Sequence, residues 1–243
     1  MTNKRCFLMT AYCNTPEKQE ALKNTIINIK KYNIDIILFS HYPIKEDIQP
    51  LVRYSIYDYS NPISNIKDKS MINWKKLNKF RKKTIPFKLN TLAVDYGYAA
   101  AQQFKRGLLF ANQLDYDEVI VLNYDLEVTD KMLKDFDDNL INYDNIILKY
   151  GNDDASMYMA WFALKLKPFI KNIKSINYTD YVKTEVIVEN YLFQKFNSVN
   201  SLIIPRKKWE GENPNEPKIK TSIVMEGDIW AKYNKSEFFP IYH

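Results

Sequence analysis

Near the middle of the chain an unbroken apolar run, Val119 to Leu122, ends in Asn123-Tyr124-Asp125-Leu126-Glu127-Val128. In an extended segment alternate residues share a face, so Asn123, Asp125 and Glu127 project together and Tyr124 and Leu126 belong to the opposite set. An amide and two carboxylates at a strand end make an oxygen-only donor set. Hard cations such as Mg2+ or Mn2+ take such donors, one or two carboxylates being completed by substrate phosphates. The same spacing also occurs in plain capping turns, and Thr129-Asp130 does supply a helix cap here. Context favours chemistry: the preceding strand is wholly apolar, and polar or aromatic residues gather at Thr10 to Asn14, Ser40 to Pro43 and Asp58 to Pro62.

The elements that must position these residues alternate along the chain. Arg5 to Ala11 is an apolar run too short for a helix, hence a buried strand. Thr15 caps the helix that follows, Pro16 opens it, and Leu22, Ile26 and Ile29 form its buried face. Ile34 to Ser40 is the next strand, and strand–helix–strand order implies a right-handed crossover and a parallel pair. Tyr54 to Tyr57 is a third strand, and the polar, basic stretch 63–90 reads as a long loop or insertion over the site. Further on, the pattern predicts a helix at Thr91 to Leu114, a strand at Asp117 to Leu122 and a helix at Thr129 to Leu140. Strands at Ile146 to Lys149 and Met157 to Leu164, a short helix from Pro168 and an amphipathic helix at Glu185 to Phe196 come next. A last strand falls at Leu202 to Ile204, and 207–243 reads as an irregular wrap. The alternation predicts one domain over 1–243, an α/β three-layer sandwich with a mostly parallel central sheet. In such sheets ligands sit outside the carboxyl ends of the strands.

Bulk properties narrow the function. A chain of 243 residues buries one sizeable core. The net charge of +6 is scattered apart from Lys75 to Lys83 and Arg206 to Lys208, whereas nucleic-acid binders concentrate charge on one face. No nucleic-acid partner is therefore expected, and mild basicity equally suits a diphosphate substrate. Cys6 and Cys13 form no disulfide framework and no zinc spacing, which predicts a reducing, cytoplasmic setting with peripheral membrane attachment left open. The first residues lead straight into a strand rather than a signal-peptide core, and no apolar run approaches the roughly 18 residues that span a bilayer. A homo-oligomer is compatible with the sequence.

The order of elements and the run Val119 to Val128 resemble a glycosyltransferase of the GT-A fold, in the nucleotide-diphospho-sugar transferase superfamily and family 2-like. In that family an apolar strand ends in Asp-x-Asp, frequently with an acid two positions on. Asn123 stands at the first aspartate, Asp125 at the second and Glu127 at the trailing acid. An amide oxygen is the weaker ligand, so Asp125 would do most of the coordination of Mn2+ or Mg2+, with Glu127 direct or through water. The resemblance implies transfer of a sugar from a nucleoside-diphosphate sugar, UDP-sugar favoured, to a hydroxyl of a glycan, lipid-linked or protein-linked acceptor, with inversion favoured. Thr10, Ala11 and Tyr12 resemble the strand and turn that hold the nucleoside, with Tyr12 stacking on the base. His41 and Asp58 resemble positions that flank base or ribose, and Asn123, Tyr124 and Asp125 lie on the diphosphate side. Tyr98, Gln102, Lys105 and Arg106 fall on the helix that in the family leans over diphosphate and sugar. Tyr158 to Phe162 resembles the acceptor-framing strand, with Trp161 a sugar platform. Glu189, with Glu185 second, matches the catalytic acid that inverting members carry at a helix start.

Each assignment has a structural alternative. Tyr12 and Asp58 suit turns, His41 suits a structural hydrogen bond, Trp161 suits a core, and Glu189 suits a helix N-terminus. Two rival functions also stand. A nucleotidyltransferase would share the layout but should carry a Gly-rich basic loop after its first strand, and none is present here. A non-catalytic carbohydrate- or nucleic-acid-binding module would keep the aromatics without the metal.

Overall fold

The N-terminal apolar run forms β1 (Arg5–Ala11), buried on both faces as an inner strand, third in the order of a seven-stranded sheet. Thr15 caps α1 (Pro16–Lys30), its side chain accepting from the Lys18 N–H, with Pro16 in the first turn. The chain returns through Asn33, at φ 52°, a left-handed position that asparagine tolerates, into β2 (Asp35–Ser40). A single 3-10 turn, Gln49–Leu51, then leads to β3 (Tyr54–Tyr57). Strands β1, β2 and β3 are parallel.

This computed structural model describes residues 3–61, 65–68, 92–95, 97–149, 157–184, 186 and 188–204. Within the expected loop, β4 (Asn65–Asp68) pairs antiparallel with β5 (Leu92–Asp95), Ile66 opposite Val94. Residues 69–91 lie outside the described residues, as does the wrap expected at 207–243. The helix expected from Thr91 starts later, as α2 (Gly97–Gln113). Its helix-favouring signals, Ala99 to Gln103, all lie beyond Gly97, while Leu92 to Val94 are spent on the ribbon.

Next come β6 (Glu118–Asn123), α3 (Asp130–Leu140) capped by Thr129, β7 (Asn145–Lys149) and β8 (Met157–Lys165). The remainder is α4 (Leu166–Ser175), α5 (Tyr178–Lys183), α6 (Val188–Phe196) and β9 (Ser201–Ile204). Helix α5 was not foreseen, and the helix expected from Glu185 begins at Val188.

The sheet order is β3-β2-β1-β6-β8-β7-β9, and β8 alone runs against the others. One apolar cluster joins α1 and α3 to one face of the sheet. A second joins α2, α4 and α6 to the other. This is the expected three-layer α/β sandwich with a mostly parallel sheet. Gly107 sets how closely α2 lies on β1: a Cβ there would come within 2.6 Å of Leu8 Cδ1. Because β1, β2, β3 and β6 are parallel, their carboxyl ends share one edge, and the α1 and α2 N-termini return from that edge.

Candidate active site at the carboxyl edge of the sheet

Asn123 ends β6 opposite Thr10 of β1, both half-buried. Beyond Asn123 the chain turns, yet burial still alternates. Tyr124, Leu126 and Val128 are buried in the α1/α3 layer, and Asn123, Asp125 and Glu127 are half-buried. The oxygen-bearing residues are therefore the ones kept towards solvent, as the alternation predicted. Desolvation pushes the Asp125 carboxyl above its ordinary value, opposed by its own backbone N–H and the Lys18 ammonium.

After Asp125 the chain is anchored to α1. The Val128 N–H donates to Asn28 Oδ1 at 2.9 Å, and the Tyr32 hydroxyl donates to Val128 O at 3.2 Å. Asn28 lies in the last turn of α1, and Tyr32 just beyond that helix, at the far edge of the sheet. The segment is thus tied at Val128 to the last turn of α1. Among the described residues no three His, Cys, Asp or Glu side chains group to hold a metal. Asp125 and Asn123 offer oxygen donors only. They fit a hard cation whose shell is completed by phosphate oxygens and water, not an all-protein cage.

Lys18, which the sequence reading did not single out, stands beside the end of β1. It sits in the first turn of α1 on the same buried stripe as Leu22 and Ile26. Its ammonium donates to Asn14 Oδ1 at 3.0 Å and lies 4.8 Å from the centre of the Tyr12 ring. Burial lowers its pKa, and the charges of Cys13 and Asp125 oppose this. The available signal was the spacing: Lys18, Leu22 and Ile26 recur every four residues, which puts a lysine on an apolar stripe beside a strand end. Tyr12 is half-buried and edge-on to Tyr42 (5.2 Å) and His41 (6.2 Å), whereas Ala11 is buried in the α1/α3 core.

The ends of β2 and β3 are tied to α2. Asn61 Nδ2 donates to Ala99 O at 2.8 Å and lies 3.0 Å from His41 Nε2. Arg106 forms an ion pair with Asp58 and donates to Ser60 Oγ at 2.8 Å. Arg106, one of two cations expected to meet phosphate, is thus spent on the Asp58 loop, and Asp58 has one carboxylate oxygen engaged. Burial pushes the His41 imidazole down to about 4, with Asp58 opposing and Arg106 adding to the shift. An unfolded histidine titrates near 6.5, so between pH 6.5 and 4 the unfolded chain binds more protons than the folded one. This contribution to stability is complete above pH 6.5 and is lost as pH falls towards 4. Urea midpoints measured from pH 7.5 to 4.5 should drop for the wild type and drop less for His41→Gln. An identical slope in the variant would assign the acid loss to another group.

Several expected contacts belong to the core instead. Trp161 is fully buried and stacks on Phe136 at 4.6 Å, because its position on β8 faces the α1/α3 layer; it is no sugar platform. Tyr98 is buried against Tyr178 (5.2 Å) and Tyr181 (5.8 Å), its hydroxyl donating to Gln102 Oε1 at 3.2 Å, which removes it as a substrate contact. The Tyr124 ring is buried in the α1/α3 layer, so it cannot reach a nucleotide. Lys105 donates to Ile176 O at 2.7 Å, pinning α2 to the α4–α5 connection rather than meeting phosphate. Glu189 is half-buried in the first turn of α6. The far end of that helix is fixed at the amino edge, where Asn145 Nδ2 donates to Phe196 O at 2.7 Å, so Glu189 lies at the end towards the carboxyl edge. Glu185 falls outside the described residues.

No protein-family profile and no characterised protein sequence matches the chain. Its overall arrangement is similar to several solved structures. Core-mannan synthase A from Aspergillus fumigatus, solved in a Mn/GDP form, shares 10% identity over 83% of this chain and 73% of that one, at a TM-score of 0.48. TarS from S. aureus shares 10% identity over 84% of this chain, which spans 35% of that one, also at 0.48. The galactosyltransferase LgtC, in complex with donor and acceptor sugar analogs, shares 12% identity over 81% of this chain and 72% of that one, at 0.45. Likeness at such identities is one of fold, and residue roles rest on the chemistry of the edge itself.

Proposed function

We propose that the chain is a glycosyltransferase that moves a sugar from a nucleoside-diphosphate sugar to a hydroxyl of a glycan, lipid-linked or protein-linked acceptor. One observation carries this reading. Asn123 and Asp125 stand at the carboxyl end of β6, next to the β1 end where the Lys18 ammonium of α1 donates to Asn14 Oδ1 at 3.0 Å and lies 4.8 Å from the Tyr12 ring centre. Both strand ends lie at the edge where an open α/β sheet binds its ligand.

Asp125 and Asn123 would hold Mn2+ or Mg2+, which supplies neutralisation of charge on the departing diphosphate when bound. Lys18 contributes a fixed positive charge to the same oxygens from the α1 side. Tyr12, at the end of β1, is the stacking surface for the base. In the inverting reaction the acceptor oxygen bonds to the anomeric carbon and its proton passes to Glu189. The bond from that carbon to the diphosphate breaks, its electron pair leaving with phosphate.

The nucleotidyltransferase alternative loses ground on the β1–α1 turn, Tyr12-Cys13-Asn14-Thr15-Pro16, which carries no glycine. The purified chain should release sugar or transfer it from at least one member of a panel of UDP-, GDP-, ADP- and CDP-sugars with Mn2+, and EDTA should suppress this. No turnover across the panel, together with no binding of any nucleoside diphosphate, would sink the reading.

A further inference from the structure

Lysines that look scattered along the chain gather on one helix in the fold. Between residues 155 and 179 the sequence holds Lys165, Lys167, Lys171 and Lys174 and no Asp or Glu. The last three fall on α4, at spacings of four and three residues. At about 100° per residue, Lys171 and Lys174 stand about 40° and about 20° to either side of Lys167, in a stripe about 60° wide and about 10 Å long. Leu166, Phe169 and Ile173 of the same helix are buried against the sheet. The stripe therefore lies on the solvent side, and all three lysines are exposed.

Cations on the helices packed beside α4 are already engaged. On α2, Lys105 donates to Ile176 O at 2.7 Å and Arg106 pairs with Asp58. On α6, Lys195 pairs with Asp180 at 2.6 Å. On the other layer, α3 interleaves Lys131 and Lys134 with Asp130, Asp135, Asp137 and Asp138. Lys167, Lys171 and Lys174 enter no ion pair among the described residues. The helix that carries them is fixed in place. Asn172 Nδ2 donates to Lys195 O at 2.8 Å, and Lys105 holds the Ile176 carbonyl just past the end of the helix. A row of cations on a fixed backbone loses little further order on meeting a flat anionic surface.

We infer that this face of α4 docks the protein on an anionic lipid bilayer. The apolar side of the helix is spent on the core, so the stripe offers surface charge rather than an inserting apolar face. Among the described residues no helix is long and apolar enough to cross a membrane, so contact through the stripe is peripheral. Anionic headgroups attract each nearby lysine, and the attraction fades within a Debye length, about 8 Å at physiological salt. Ammonium groups in one row along a surface helix can meet a bilayer together. The exposed residues of α4 are Lys167, Pro168, Lys171, Lys174 and Ser175. They include no aromatic ring to stack a base and no arginine or amide to read one, which favours headgroups over nucleic acid. Docking also singles out the lipid-linked class among the three acceptor classes named above, a step that rests on the glycosyltransferase reading.

Sedimentation of the full chain with sucrose-loaded vesicles tests this. The chain should bind vesicles of equal parts phosphatidylcholine and phosphatidylglycerol but not vesicles of phosphatidylcholine alone, and rising salt should release it. The combined variant Lys167→Gln, Lys171→Gln and Lys174→Gln should lower the partition coefficient by about 10²-fold. A charge-matched control on the opposite layer, Lys23→Gln, Lys30→Gln and Lys31→Gln in and just after α1, should lower it by about threefold or less. Equal binding to neutral vesicles, undiminished binding of the folded α4 variant, or an equal loss in the control would overturn the docking face. Tighter binding to poly(U) than to the mixed vesicles at the same salt, lost in the α4 variant, would reassign the stripe to nucleic acid and overturn it too. These outcomes leave the glycosyltransferase reading standing, which fails instead on the nucleotide-sugar panel.

Discussion

Asp125→Asn should lower turnover by about 10³-fold or more while leaving the thermal midpoint at pH 7 unchanged or higher. Both halves follow from one fact. Desolvation raises the Asp125 pKa, so at neutral pH the folded chain holds a carboxylate that burial disfavours. A carboxyl with a raised folded value destabilises the native state increasingly as pH rises above its ordinary value near 3.8. An amide removes that cost along with the charge that would hold cation and diphosphate. The companion change, Asn123→Asp, should preserve transfer and tighten Mn2+ binding, because a second carboxylate joins the shell. Paired measurements of sugar transfer and thermal midpoint check both. Wild-type turnover in Asp125→Asn would remove the centre of the proposed site.

Lys18→Met should lower kcat/KM by about 10²-fold with little change in thermal midpoint. Methionine keeps an unbranched stem for the stripe shared with Leu22 and Ile26 while deleting the ammonium. The loss should fall on the diphosphate. Nucleoside diphosphate should bind more weakly to the variant, nucleoside alone should bind as before, and Lys18→Arg should restore part of the affinity. If diphosphate affinity is identical in Lys18→Met and the wild type, Lys18 is only a helix residue that bonds Asn14.

Much of the fold was legible because its signals are local. Thr15 with Pro16 and Thr129 with Asp130 mark helix starts, and both hydroxyls do cap, accepting from Lys18 N and Met132 N. The apolar runs of β1, β2 and β6 announce strands buried on both faces, and the alternation from Asn123 to Val128 survives the end of the strand. The misses are non-local. A strand buried on both faces gives no hint of which layer each side chain enters, so the sequence favoured a core position for Trp161 without naming Phe136 as its partner. Arg106 and Lys105 are adjacent on α2, and only the fold sends one to Asp58 and the other to Ile176 O. Asn61 was not singled out within Asp58 to Pro62, because its partners, His41 and Ala99, lie 20 and 38 residues away.

The place of β1 between β2 and β6 also governs how the chain is made. Its β2 side is closed early by the α1 crossover, but Glu118, which begins β6 and receives Arg5, follows 113 residues later. At a synthesis rate of about 5–20 residues per second, one flank of this apolar strand stays open for roughly 6–23 seconds. An unpaired apolar flank is a template for association with other chains. Yield in a cell is therefore set during translation, in the interval when a holding chaperone can shield β1, and slower translation between β3 and β6 lengthens that exposure.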